Sequence, residues 1–102
     1  MLELRPTCEN CNKALPPDAP EARICSYECT FCAECVEKVL LNVCPNCGGG
    51  FAPRPIRPVS ERWPGVSLAK QPASTKRVHL KWPRETVAEF VRAVRGIRPE
   101  DR

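Results

Sequence analysis

The chain has 102 residues, enough for one small domain with an appendage and too few for several independent cores. Eight cysteines in that length mean that thiols replace part of an apolar core. The net charge of +4 is divided: residues 1–50 carry four Lys/Arg against seven Asp/Glu, residues 51–102 twelve against five. An acidic head and a basic tail can dock on each other, so the overall basic excess is no signature of nucleic-acid binding. The opening MLELRPTCEN has no basic segment followed by an apolar run, and no stretch approaches the roughly 20 apolar residues of a membrane span. The expectation is a cytoplasmic chain in a reducing compartment, where paired cysteines read as metal ligands before disulfides.

In chain order, residues 1–52 form a cysteine-rich head. Leu15, Ile24, Tyr27, Phe31, Val36, Val39, Leu40 and Val43 supply most of its other apolar mass. That is too little for a core of this length, so the head is expected to be unfolded without metal. Arg23–Ser26 reads as a short strand leading into the second ligand pair. Glu34–Leu41, with Val43 just beyond it, places apolar residues at 36, 39, 40 and 43, which is helical spacing. Residues 53–75 form a basic linker with prolines at 53, 55, 58, 64 and 72, extended and stiff where they cluster.

Residues 76–102 begin with TKRVHLKW, where Val78, Leu80 and Trp82 alternate with Arg77, His79 and Lys81; this reads as a short strand or extended arm. An amphipathic helix follows. Pro83 suits its first turn, Glu85 its positive end, Arg92 and Arg95 its negative end, and Gly96 its stop. Its stripe of Val87, Phe90, Val91 and Val94 either packs on the head or meets a partner. His79, the one histidine, reads as an exposed arm residue.

The cysteines spell C-x2-C-x13-C-x3-C-x2-C-x2-C-x8-C-x2-C, on Cys8, Cys11, Cys25, Cys29, Cys32, Cys35, Cys44 and Cys47. A Cys-x2-Cys turn curls around an ion and aims amides at the thiolates. The residue after it often needs a left-handed conformation, and Asn12 and Gly48 tolerate one. A bacterial ferredoxin run needs three residues before its Cys-Pro, whereas eight separate Cys35 from Cys44, and an iron–sulfur cluster would leave half of the cysteines unused. Four sulfurs on each of two Zn2+ ions use all eight.

This string resembles the RING finger in an all-cysteine form, with Cys29 where that family most often has histidine. The resemblance covers residues 8–47: a long first loop, a tight middle cluster and a final Cys-Pro-x-Cys. It implies a small zinc-stabilised α+β domain, a RING-like treble clef with two cross-braced four-cysteine sites. One site would be Cys8, Cys11, Cys32 and Cys35; the other Cys25, Cys29, Cys44 and Cys47. Sequential pairing, as in LIM domains, is the rival, although LIM loops are longer. More narrowly, the MLELRP start and the CPNCGG and RPIRP passages are similar to a small bacterial cysteine-rich family of unassigned function.

Four thiolates close a zinc to substrate, and no nucleophile elbow or phosphate-binding loop is present, so no catalytic residue is assigned. The expected function is a non-catalytic zinc-binding adaptor for another protein, with neither a membrane nor a small-molecule substrate as partner. Candidate contact residues are Arg54, Arg57, Arg77, Lys81, Trp63, Trp82 and Phe90. One alternative is nucleic-acid binding through Arg54, Arg57, Arg62, Lys70, Lys76, Arg77 and Lys81, with Trp63 and Trp82 stacking. Another is ubiquitin-ligase activity, disfavoured because Asn10, Gly48 and a helix without Trp depart from that family's docking residues. A redox switch by thiolate oxidation and zinc release is the most distant.

Overall fold

The computed structural model describes residues 1–102. Its elements are short: β1 (Ala22–Ile24), β2 (Thr30–Cys32), α1 (Ala33–Lys38), β3 (Ala52–Pro53), α2 (Arg84–Val94) and a final 3-10 turn (Pro99–Asp101). The sheet has the order β2-β1-β3 and is antiparallel throughout, with Arg23 opposite both Phe31 and Pro53. Strands of two or three residues and a six-residue helix are below what local propensity sustains, so the sulfurs and the core must hold them.

The β1–β2 turn closes with Cys25 N–H on the Cys29 carbonyl at 3.2 Å and puts Glu28 in the left-handed region at φ 67°. Its tip therefore presents Cys25 and Cys29, while Cys32 ends β2 and Cys35 follows one turn into α1. The helical spacing extends to Leu41, but α1 stops at Lys38. Leu41 and Asn42 turn left-handed (φ 48° and 62°), and the Asn42 side chain accepts the Phe51 N–H at 2.9 Å. That turn sends the chain back towards β3.

Phe31, Leu15, Leu40 and Val43 form the apolar centre, with buried cysteines around them. Phe51 stands edge-on to Phe31 at 5.4 Å. Val87 and Val91 of α2 are buried in the same cluster, and Leu80 and Val94 pack against it half-buried. The tail thus supplies apolar mass that the head lacks. Of the two readings of the helical stripe, packing on the head is the one observed.

Residues 54–58 and 72–75 lack regular structure, as the prolines require. Residues 59–71 instead fold into bends and turns, with Trp63 bridged to Val66 and Gln71 N–H on Ser67 O at 2.9 Å. The segment is tied down at several points. Arg54 N–H bonds Ala22 O at 3.0 Å, Leu68 N–H bonds Pro58 O at 2.8 Å, and Ser74 N–H bonds Leu4 O at 3.0 Å. Residues 76–82 form an extended arm and not the short strand. The arm adds to neither edge of the sheet. It is held to the head by the Leu80 N–H to Glu9 O bond at 3.0 Å, the Trp82 indole N–H to Asn46 Oδ1 bond at 3.1 Å and the packing of Leu80 on the core. The molecule is elongated, 46 × 27 × 18 Å, with a radius of gyration of 14.5 Å. A compact chain of 100 residues has about 13 Å.

No helix is long and apolar enough to cross a membrane.

Candidate metal centre

All eight cysteines are free thiols, and they gather into two groups. In the first, the Sγ atoms of Cys8, Cys11, Cys32 and Cys35 all lie within 4.8 Å of one another. In the second, those of Cys25, Cys44 and Cys47 do the same. Cys29 stands beside this trio, against Cys44 and Cys25, outside the mutual distance that unites the other three. Successive pairs along the chain thus alternate between groups. His79 is exposed and belongs to neither.

A four-coordinate ion with thiolates at about 2.3 Å needs sulfurs about 3.8 Å apart. Cys11 Sγ and Cys32 Sγ are 3.8 Å apart. The turns fit as well. Asn12 has φ 64° and donates its N–H to Cys8 O at 2.9 Å; Gly48 has φ 81° and donates to Cys44 O at 2.7 Å. Tyr27 N–H points at Cys25 Sγ and Gly49 N–H at Cys47 Sγ, each at 3.4 Å. The residues present can hold two metal ions.

Electrostatics point the same way. Crowded thiols cannot all ionise side by side: burial pushes Cys25 up to about 11 and raises Cys35 further. Cys44 is raised by its hydrogen bond to Cys29 and then by burial, and the same bond holds Cys29 down at about 5. A divalent cation at the centre would remove this conflict, since every thiolate would then face a positive charge.

Two asparagines extend the site beyond its sulfurs. Asn10 Nδ2 donates to Cys35 Sγ at 3.2 Å, and Asn46 Nδ2 lies 3.5 Å from Cys29 Sγ. Each sits just before the second cysteine of its turn and reaches a sulfur of another pair. Sequence reasoning weighed Asn10 only as a departure from ligases and passed over Asn46. The repeated Cys-x-Asn-Cys was the available signal. Glu9, its side chain 2% exposed, accepts from Arg5 Nη1 at 2.7 Å and from Thr30 N–H at 2.6 Å. Burial raises its carboxyl above the usual range, against these two donors.

The candidate contact residues separate. Arg54 is buried, and its guanidinium donates to the carbonyls of Arg5 (2.8 Å), Leu15 (3.1 Å) and Pro16 (2.9 Å). Arg57 donates to Leu2 O at 2.7 Å and to Gln71 O. These arginines fasten the segment after β3 to the N-terminus, and for the buried Arg54 the expectation that it faces a partner is corrected; Arg57 is half-buried. The carbonyls of the strandless first 16 residues needed donors, and these guanidinium groups supply them.

Arg77 and Lys81 are exposed. Trp63 is 76% exposed on a turn whose Gly65 has φ 82° and whose Val66 N–H returns to Trp63 O at 3.1 Å. Trp82 donates its indole N–H to Asn46 Oδ1 at 3.1 Å. Phe90 lies against Gly48, where an added Cβ would meet its ring at 3.4 Å.

No solved structure matches the chain significantly. An uncharacterized protein of Rhizobium meliloti (strain 1021) is 55% identical over 78 residues, covering 76% of this chain and 86% of that protein. A family model matches residues 1–57, which hold both thiol groups, the sheet and the two clamping arginines. The chain belongs to that family, described as "Protein of unknown function (DUF1272)".

Proposed function

We propose that this protein is a non-catalytic zinc-binding module that uses two structural Zn2+ ions to hold a surface for another protein. The observation that carries this reading is the first thiol group, four sulfurs within 4.8 Å and with a 3.8 Å edge. That spacing suits one ion. An iron–sulfur cluster places sulfide between its irons and spreads the cysteine sulfurs farther apart. Four thiolates leave no open position for water or substrate, so the ion's role is to hold the fold.

In the finer form of the proposal the cage is RING-like and cross-braced. Cys8, Cys11, Cys32 and Cys35 hold one zinc, and Cys25, Cys29, Cys44 and Cys47 the other. The alternation of cysteine pairs between the groups supports this. Ligase activity is not proposed: Asn10 is engaged with Cys35, Gly48 lies under Phe90, and α1 carries no Trp. The best-presented contact residue is Trp63, held out by a turn that needs no partner to form.

Elemental analysis of anaerobically purified protein, with an absorption spectrum of the same sample, tests the reading. Two zinc ions per chain without visible absorption are expected. Iron with a brown charge-transfer band would overturn it. A pull-down that survives salt would favour a protein partner, and affinity that falls steeply with salt would favour nucleic acid.

A further inference from the structure

Glu9 lies within the first Cys-x2-Cys turn, but its side chain serves more than that turn. Its Oε2 accepts from Thr30 N–H at 2.6 Å and from Arg5 Nη1 at 2.7 Å. Its Oε1 is 3.5 Å from Asn46 Nδ2, which is also 3.5 Å from Cys29 Sγ. Thr30 stands between Cys29, beside the second group, and Cys32, in the first. The Glu9 main chain adds two bonds, its N–H to Thr30 O and its carbonyl from Leu80 N–H, both at 3.0 Å. The buried carboxylate therefore joins the first turn, the strand shared by both groups and the last turn, and the main chain of the same residue holds the docked arm.

We propose that Glu9 is the positioning residue that couples the two metal sites, so that binding either ion prepares the other; this rests on the two-zinc reading above. An ion on Cys8 and Cys11 fixes the turn and with it the carboxylate. The carboxylate then holds Thr30 N–H and Asn46, and so sets Cys29 and the Cys44–Cys47 turn. The order can be reversed, because coupling between two sites is reciprocal. The carboxylate itself enforces the link: it is buried, Arg5 is its one cation, and donors lost from either side leave it poorly compensated.

Native mass spectrometry of the full chain, titrated with zinc ions alone, reads this directly. At one equivalent, wild type should show chains with no zinc or two, and little with one. In Glu9→Gln the carboxamide turns a donor towards donors, and the coupling factor should fall at least about tenfold, within the ordinary range for linked sites. The one-zinc species should then accumulate. Exposed Glu37→Gln should match wild type.

A merely structural Glu9 would weaken both ions together and leave the one-zinc fraction unchanged. That result would overturn the proposal, as would a wild type that fills its sites one at a time. Should Glu9→Gln fail to fold, Asn46→Ala cuts the same link from the last turn and should likewise let the one-zinc species accumulate; an Asn46→Ala distribution like that of wild type would overturn the proposal. A wild type that never takes a second ion would instead remove the two-zinc reading, a distinguishable outcome.

Discussion

Asn10 and Asn46 occupy the same place in two turns and donate side-chain N–H groups towards sulfurs of other pairs. Such donors hold a thiolate in position and lower the proton's ability to compete with a metal. Asn10→Ala should weaken metal binding by about 10–100-fold, the usual effect of losing an outer hydrogen bond to a ligand. Competition with a chromophoric chelator measures it; unchanged affinity would show that the backbone amides suffice. Gly48 poses a different requirement. Its φ of 81° suits glycine, and an added Cβ would meet Phe90 at 3.4 Å, an ordinary contact. The strain in Gly48→Ala therefore lies in the backbone, and a loss of about 1–2 kcal/mol is expected in denaturant titration of the metal-loaded protein. The left-handed turns at Asn12 and Gly48 were legible, since so few residue types accept that conformation. The roles of Glu9 and Asn46 were not, because their partners lie 21 and 17 residues away.

At the scale of elements, the β1–β2 hairpin feeds both thiol groups, its tip to one and its base to the other. Strand, hairpin and helix are each too short to stand alone, so their stability is that of the assembled head. α2 is longer, yet it depends on the head to cover Val87 and Val91. Burying a valine contributes about 1.5–3 kcal/mol. Val87→Asp should therefore release the tail, and trypsin should cut at Lys76, Arg77 or Lys81 more than about tenfold faster, since opening scales with the lost free energy. Cutting at the wild-type rate would mean that the arm and the Arg102 contacts with Asn42 O and Gly48 O hold the tail unaided. The helical stripe was plain in the sequence. Its choice of the head over a partner was not, because a stripe reports its own face and not what covers it. Arg54 reverses the usual expectation for a basic residue among prolines. Its three carbonyl acceptors predict that Arg54→Met destabilises by at least about 2 kcal/mol, read by thermal or denaturant unfolding.

For the whole molecule, metal and fold are expected to be lost together. A chelator should abolish near-ultraviolet dichroism of the head, and the tail should become protease-sensitive with it, because Val87 and Val91 share its core. Acid should act in the same sense. Ligation needs thiolates, so folding with metal releases protons, and stability falls as pH drops below neutrality. The transition should be steep, since each ion displaces several protons, and zinc release followed against pH would show it. A head that kept its dichroism after chelation would mean that the apolar core and Arg54 suffice.

The sequence by itself determined eight metal-ligating thiols in close pairs, the left-handed turns that shape the first and last of them, and the existence of a short strand, a helix and an amphipathic tail, while leaving cross-braced and sequential grouping of the pairs open. Each depends on local geometry: a two-residue spacing, a residue type that tolerates positive φ, a periodic stripe. Tertiary structure alone decided that the tail completes the core, that Arg54 is buried against the N-terminal carbonyls, and that Glu9 is hydrogen-bonded between the two thiol groups. Those outcomes depend on which distant backbone groups still need a partner once the chain has closed on itself, and no local pattern carries that information.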